Sequence, residues 1–182
     1  MQAEVLLLDR NIDKLRDADR IYQGHLQTVA SNAYEVERAV LDADLVIGAV
    51  LVPGAKAPTL ISNELVSRMR PGSVLVDIAI DQGGCFEDSR PTTHAEPTYM
   101  VHNSVFYCVA NMPGAVPNTS TYALTNVTLP YALSLADKGW RDALRSDPAL
   151  ALGLNTYAGE VTYAPVAQAH ELHHRELADV LA

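Results

Sequence analysis

Asp81 is the residue whose type and surroundings are best suited to chemistry. It follows a largely apolar run that begins after Ser73, and Gly83 and Gly84 come directly after the next residue. Such a run is typical of a parallel strand buried on both faces, and open α/β sheets bind ligands beyond the carboxyl ends of these strands. Glycines there allow a ligand to approach the backbone. The alternative is that Asp81 only ends its strand in a hydrogen-bonded turn.

Asp9 is a second acid that follows a short apolar run, and a helical pattern begins soon after it, at Asn11. In dinucleotide-binding folds, the acid that closes the second strand binds the adenosine ribose and lies about 20 residues after a glycine-rich loop. Asp9 fits that acid, yet only eight residues precede it and no GxGxxG is present. The pattern favours either another α/β fold or the downstream part of a dinucleotide-binding one.

Two further groups of residues could bind a metal. His170 to His174 match HExxH, a zinc motif that needs a helix, a third ligand and a cleft. Only eight residues follow the motif, so a solvated, charged terminal helix is the better prediction. Cys85 and Cys108 lack CxxC spacing and a secretory context, which indicates buried or loop thiols. We therefore expect no metal site.

The elements that must position these acids alternate between strand and helix. Strands are predicted over residues 3–9, 25–30, 44–53, 73–80 and 105–110, and helices over 11–20, 33–41 and 62–69. This alternation predicts βαβ units and a doubly wound parallel sheet. A fold of this class that binds no nucleotide is the alternative.

Beyond Asp81 the alternation stops. Residues 81–103 contain two prolines and predict a long ordered loop with a short strand over 99–102. Residues 118–136 predict a long helix that is kinked near Pro130, and residues 139–182 predict short helices. A domain boundary is expected just before the long helix.

Charge and hydropathy exclude several kinds of partner. The formal net charge is -9, and the 13 Lys and Arg residues are scattered, which argues against a nucleic-acid surface. No apolar run reaches the length of a membrane span, and the first residues lack the basic start of a signal peptide. We expect a cytoplasmic protein that acts on small molecules.

Four ordered segments make the chain resemble the C-terminal half of bacterial alanine dehydrogenase, within the alanine dehydrogenase and pyridine nucleotide transhydrogenase family. These segments are residues 9–15, 43–58, 77–84 and 111–126. The resemblance extends from residue 3 to about residue 136. It implies a partial Rossmann-type sheet that lacks its first strand and glycine loop, followed by a helical segment of a substrate domain.

The resemblance also implies domain organisation and activity. Residues 1–117 would form the NAD(H)-binding domain, incomplete at its N-terminus, and residues 118–182 the helical part of the substrate domain. Similar enzymes are hexamers that oxidise L-alanine with NAD to pyruvate and ammonium by hydride transfer. In the family a glycine loop, a lysine and a histidine outside the matched segments complete the site, so we expect this chain to be inactive alone.

Individual residues match positions with known roles in the family. Asp81 matches an acid beside the nicotinamide that handles protons or water, and it is the expected catalytic residue. The expected NAD-binding residues are Asp9, Lys14, Ser31, Val50, Leu51, Ile78, Asp81, Asn111 and Met112. For Lys14 and Ser31, ordinary solvated surface positions are the competing interpretation.

Two other functions compete with alanine dehydrogenase. The first is the NAD-binding domain of a proton-translocating transhydrogenase, in which the residue before Gln-Gly-Gly is usually Glu; here it is Asp81. The second is a nucleotide-binding remnant that regulates without catalysing. NADH binding and an alanine oxidation assay distinguish the three.

Overall fold

The computed structural model describes residues 3–182 and divides them into two compact units. The first contains the residues up to Val50 together with Ala57–Ala110, and the second contains Leu51–Lys56 and Asn111–Ala182. The break after Ala110 lies close to the predicted domain boundary.

The first unit is built from alternating strands and helices, as the hydrophobic pattern predicts. In chain order its elements are β1 (Leu6–Asp9), α1 (Ile12–Tyr22), β2 (Gln27–Ala30), α2 (Ala33–Asp42), β3 (Leu45–Gly48), α3 (Asn63–Ser67), β4 (Val74–Asp77), a 3-10 helix (Ile78–Gln82), β5 (Thr98–Val101) and β6 (Ser104–Tyr107).

These strands form two sheets in which parallel pairing predominates. β1 pairs with β2 in parallel, whereas β3, β4, β6 and β5 form a four-stranded sheet in that order, with β5 antiparallel at its edge. Doubly wound folds have the strand order 3-2-1-4-5-6. In that order β2 and β1 correspond to strands 3 and 2, and β3, β4 and β6 correspond to strands 4, 5 and 6. The predicted fold class, a Rossmann-type α/β fold dominated by parallel strands, is confirmed.

Side-chain caps fix where two of the helices begin. The Asn11 side-chain oxygen accepts hydrogen bonds from the backbone N–H groups of Asp13 and Lys14, and the Asn32 side-chain oxygen accepts one from Glu35. Asparagine is favoured at this position because it satisfies N–H groups that have no partner within the helix. The caps thus start α1 and α2 immediately after the carboxyl ends of β1 and β2.

The core of the first unit lies between the four-stranded sheet and the helices beside it. Leu75 and Phe106 are fully buried on β4 and β6, and Val66 of α3 is only 2% exposed. Phe86 meets Phe106 edge to face, with 6.0 Å between ring centroids. Replacing a core residue of this size with alanine typically costs about 2–5 kcal/mol, so this cluster is the main support of the sheet.

Two predicted strands are shorter in the structure than in the sequence analysis. The strand predicted over 73–80 ends at Asp77, and the next five residues form the 3-10 helix. Asp77 causes this change because its side chain accepts the N–H of Ala79 and so caps the helix. The strand predicted over 44–53 is confined to Leu45–Gly48.

The second unit is mainly helical, as expected for the C-terminal part of the chain. Its elements are a 3-10 helix (Met112–Ala115), α4 (Pro117–Ser146), α5 (Pro148–Ala151), β7 (Thr156–Tyr157), β8 (Glu160–Val161), α6 (Ala164–Ala169) and α7 (Leu177–Leu181). β7 and β8 form a small antiparallel hairpin.

The long helix α4 is interrupted at Gly139 and not at Pro130, where the kink was predicted. Gly139, with φ 74° and ψ 159°, is the residue inside α4 whose backbone is not helical. Pro130 lies within the helical run. Glycine tolerates this backbone conformation because it lacks a Cβ atom. Along α4, Tyr122, Leu124 and Val127 are more than 60% exposed.

The HExxH segment does not form the predicted terminal helix. α6 ends at Ala169, and Glu171 has a left-handed backbone with φ 54°. His170 and His174 therefore do not share a helical face. Within residues 3–182, no group of three or more His, Cys, Asp or Glu side chains could hold a metal ion.

None of the helices formed by residues 3–182 combines the length and the apolar character needed to cross a lipid bilayer.

Candidate functional site

Asp9 and Ser31 lie together at the carboxyl ends of β1 and β2. The two strands pair in parallel with Asp9 opposite Ala30, and the Ser31 N–H donates to the Asp9 carbonyl at 3.0 Å. The Asp9 side chain accepts the N–H of Asn11 through Oδ1 at 2.8 Å. This turn orients the half-buried carboxylate at the edge where α/β sheets bind ligands.

Lys14 lies in the first turn of α1, directly beyond Asp9. Its backbone N–H donates to the Asn11 side chain at 3.2 Å, and its side chain is exposed. The structure therefore brings Asp9 and Ser31 into contact. The Lys14 side chain, five residues after Asp9, lies in solvent.

Val50 and Ile78 follow neighbouring strands of the four-stranded sheet. β3 and β4 are paired in parallel with Gly48 opposite Asp77, so the two apolar residues come just after the same sheet edge. Val50 packs against the core, whereas the Ile78 side chain is 53% exposed. An exposed isoleucine at a strand end offers an apolar surface to a flat ligand.

Asp81 lies in the 3-10 helix one turn beyond β4, and it is exposed. The adjacent Gln82 carries a buried side-chain oxygen, Oε1, that has no hydrogen-bond partner among the described residues. An orphaned buried oxygen is costly unless a donor reaches it. The turn thus combines an accessible carboxylate with an amide oxygen that requires an N–H or O–H donor.

Asp77 is a functional candidate that the sequence analysis missed. The strand-ending role considered for Asp81 belongs to Asp77, which is fully buried at the end of β4. Its carboxylate accepts hydrogen bonds from the N–H groups of Ala79 and Cys85 at 2.9 and 2.8 Å and from the Ser89 hydroxyl at 2.5 Å. The available signal was an acid inside an otherwise apolar run.

Both cysteines are buried free thiols, as predicted. Burial, together with the neighbouring Asp77 charge and a hydrogen bond to it, raises the pKa of the Cys85 thiol to about 12. A thiol with this pKa stays protonated at neutral pH and is a poor nucleophile. Burial also raises the pKa of the Tyr99 hydroxyl, which lies 3.5 Å from the Cys108 sulfur.

The remaining predicted binding residues belong to the second unit. Leu51 is 68% exposed, and Asn111 adopts a left-handed backbone with φ 68° where it precedes the 3-10 helix that contains Met112. An open cavity of about 670 Å³ borders Asn111 and is lined in part by Ser120 and Leu124. Asn111 therefore lies at a concave surface of its unit.

Comparison with known proteins gives consistent matches over the whole chain. The family model described as "Alanine dehydrogenase/PNT, C-terminal domain" matches residues 1–164. An alanine dehydrogenase of Mycobacterium tuberculosis (strain H37Rv) is 63% identical over 182 residues, which is 100% of this chain and 49% of that protein. An alanine dehydrogenase of Halomonas elongata is 59% identical over 98% of this chain and 48% of the relative.

Solved structures give the same result. A structure titled L-alanine dehydrogenase superposes with a TM-score of 0.80 and 48% identity, covering 93% of this chain and 46% of that one. A transhydrogenase from Sinorhizobium meliloti is similar in fold alone, with a TM-score of 0.53 and 20% identity over 66% of this chain and 42% of that one. The chain spans about half the length of the curated relatives it matches.

Proposed function

The chain belongs to the alanine dehydrogenase/PNT family, and from this premise we propose that it forms the NAD-binding and catalytic part of an alanine dehydrogenase. The reaction is the oxidation of L-alanine to pyruvate and ammonium. The observation that carries the proposal is a pair of acids, Asp9 at the carboxyl end of β1 and Asp81 in the 3-10 helix that follows β4, in a chain so similar to alanine dehydrogenases.

The donor and acceptor groups of the first unit fit a dinucleotide. The Asp9 carboxylate, oriented by the Asn11 N–H, is suited to accept hydrogen bonds from ribose hydroxyls. The orphaned Gln82 oxygen is suited to a carboxamide N–H, and exposed Ile78 to a flat ring. As the resemblance to the family implies, we also propose Lys14, Ser31, Val50, Leu51, Asn111 and Met112 as NAD-binding residues.

In this mechanism Asp81 holds and transfers protons. When bound, NAD supplies the acceptor for the hydride that leaves the α-carbon of alanine. Oxidation produces an imine, and its hydrolysis needs a water molecule that is oriented and deprotonated. The exposed Asp81 carboxylate is suited to both tasks, because a carboxylate accepts a hydrogen bond from water and then its proton.

We further propose that residues 1–117 act as the cofactor domain and residues 118–182 as part of a substrate domain, in a cytoplasmic homo-oligomer. The exposed apolar side chains of α4 support association, because contiguous apolar surface of this kind favours burial against another chain. A hexamer is the expected assembly.

The test uses a chimera in which the segment of the M. tuberculosis relative that precedes the matched half is joined to this chain. We expect the chimera to reduce NAD in the presence of L-alanine and the chain alone to be inactive. Asp81→Asn in the chimera should lower kcat by roughly 10²–10⁴-fold, as is typical of general acid–base groups. NADH affinity should change little.

Asp44→Asn is the matched control, because it removes one carboxylate from the same unit at an exposed residue that pairs with Arg70. It should keep kcat near that of the parent chimera. A chimera that binds NADH but oxidises no alanine would contradict the proposed reaction, and near-normal kcat with Asn at position 81 would remove Asp81 from it.

A further inference from the structure

Asp77 is a buried carboxylate for which the proposed reaction has no direct use. It is fully buried, so it cannot meet a ligand from solvent. Burying a charged carboxylate is costly unless hydrogen bonds compensate for the lost water. The reason for an acid at this position therefore has to be found among its hydrogen-bond donors.

Those donors come from both ends of one segment. Oδ1 accepts the Ala79 N–H at 2.9 Å and lies 3.4 Å from the Cys85 sulfur, and Oδ2 accepts the Cys85 N–H at 2.8 Å and the Ser89 hydroxyl at 2.5 Å. A single carboxylate thus ties residue 79 to residues 85 and 89. Asp81 lies between the tied positions.

Backbone hydrogen bonds close the same turn around Asp81. The Gly83 N–H donates to the Ile80 carbonyl and the Gly84 N–H to the Ala79 carbonyl, both at 3.0 Å. Gly83 and Gly84 have φ values of 91° and 79°. The Asp77 carboxylate and these two bonds constrain the backbone of the turn that contains Asp81.

Close packing reinforces the arrangement. A Cβ atom on Gly84 would lie 2.9 Å from Asp77 Oδ2 and 2.5 Å from the Ser89 Cβ, and one on Gly48 would overlap the Cys85 sulfur. The two glycines therefore provide the space in which the carboxylate meets its donors. Gly84, which the sequence analysis considered suited to the approach of a ligand, is also required by this buried contact.

We propose that Asp77 is a positioning residue for Asp81: its buried carboxylate holds the turn of residues 79–89 so that the Asp81 carboxylate faces the ligand. This inference rests on the proposed function in assigning Asp81 a role in the reaction. Displacing a reacting group by about 1 Å can cost about 100-fold in rate, so a residue that fixes the turn influences turnover without touching the substrate.

Asp77→Asn is the informative change because it keeps the size of the side chain and replaces one acceptor oxygen with a donor. The amide NH2 group would face either the Ala79 N–H or the Cys85 N–H, and one of these buried donors would lose its partner. Val66→Ala is the control, because it removes buried atoms from the same core at a residue outside the carboxylate contacts.

The first measurement is hydrogen exchange on this chain itself. With Asn at position 77, we expect the amides of residues 79–85 to exchange at least about tenfold faster relative to β6. Val66→Ala should raise exchange without this local preference. Unchanged relative exchange in the turn would overturn the positioning role, whatever the activity of the assembled enzyme.

The second measurement is kinetic and uses the chimera. We expect Asp77→Asn to lower kcat by roughly 10–100-fold and to alter the Asp81-dependent limb of its pH profile, with little change in the NADH dissociation constant. In a chimera that already carries Asp81→Asn, the same change should lower kcat by less than about twofold, because residues that act through one another are not additive.

Additive losses in the double variant, or an equal loss of kcat in Val66→Ala at the same melting temperature, would overturn the proposal. If Asp81→Asn alone leaves kcat unchanged, the catalytic assignment of Asp81 fails. Hydrogen exchange then still decides whether Asp77 holds the turn, so the two failures remain distinguishable.

Discussion

Two acids four residues apart, Asp77 and Asp81, have opposite environments. Asp77 is fully buried and surrounded by donors, whereas Asp81 is exposed at the edge of the sheet. A carboxylate whose oxygens are occupied by buried donors serves structure, and an accessible one can bind water or transfer a proton. Exposure and hydrogen bonding therefore distinguish a structural aspartate from one that is available for chemistry, which the residue type alone does not.

At the residue scale, Asp9 should determine which dinucleotide binds. Its carboxylate accepts hydrogen bonds from a 2'-hydroxyl and repels a 2'-phosphate, so the chimera should prefer NADH to NADPH. Asp9→Asn removes the repulsion and should reduce this preference by about tenfold or more. Dissociation constants for both cofactors, measured by NADH and NADPH fluorescence, check the prediction.

Asp13→Asn is a suitable control because it removes the same charge from an exposed residue of α1 that pairs with Arg16. It should leave the preference unchanged. Equal preferences in the parent chimera and the Asp9 variant would be incompatible with ribose binding by Asp9.

Cys85 should make stability depend on pH in the alkaline range. Its thiol has a pKa of about 12 in the folded chain against an ordinary value of 9.0, so the unfolded chain loses this proton first. The contribution is fully present below about pH 9 and is lost as pH rises toward 12, at up to about 1.4 kcal/mol per pH unit. Urea unfolding at several pH values should show it.

Cys85→Ala removes the thiol while leaving the backbone N–H that binds Asp77. Its free energy of unfolding should therefore fall less steeply than that of the parent chain above pH 9. Parallel slopes for the two proteins would show that this thiol does not titrate differently on folding.

At the scale of elements, the turn after β4 packs closely against the end of β3. A Cβ atom added to Gly48 would overlap Cys85 and Phe86, and one added to Gly84 would overlap Ser89 and Asp77. These contacts are shorter than the Cβ atoms of real side chains make. Close contact of backbone and side chains here is the physical reason why two glycines occur in the same neighbourhood. The turn should tolerate substitution poorly.

Gly84→Ala should destabilise the chain by about 1–3 kcal/mol more than Gly72→Ala does. The two glycines share a positive φ, 79° and 85°, but nothing lies within 4 Å of a Cβ atom on Gly72. The difference between the stability losses of the two variants therefore measures the cost of crowding, because the cost of backbone strain is common to both. Chemical unfolding of both variants measures it, and equal losses of stability would mean that the turn yields without cost.

At the scale of the whole molecule, the first unit leaves sheet edges and apolar residues exposed. Within the described residues β1 and β3 are each paired on one side only, and Leu45 and Ile47 of β3 are both more than half exposed. Unpaired parallel edges with apolar side chains favour association with another strand. The same holds for the exposed apolar residues of α4.

The chain alone should therefore associate in solution, and the chimera should form a defined oligomer with a higher melting temperature. Burying apolar surface stabilises by about 25 cal/mol per Å², so covering these edges and α4 should raise stability measurably. Light scattering coupled to gel filtration, with thermal unfolding of both proteins, tests this. A monodisperse monomeric chain with a sharp transition would contradict it.

Local sequence was sufficient for the alternation of strands and helices, because side-chain periodicity, asparagine caps and glycine positions act within a few residues. It was also sufficient to place Asp9 at the end of β1. Asp81 was singled out by its apolar run and glycines, and its catalytic role stays a prediction.

Only tertiary structure distinguished Asp77 from Asp81 and located the break of α4 at Gly139. Whether an acid is buried depends on donors such as Ser89, twelve residues away, and on Cys85 packing against β3. Likewise, HExxH has helical spacing, but the backbone turns at Glu171. These outcomes depend on contacts between distant residues, which periodicity cannot encode because it describes only a segment's own neighbours.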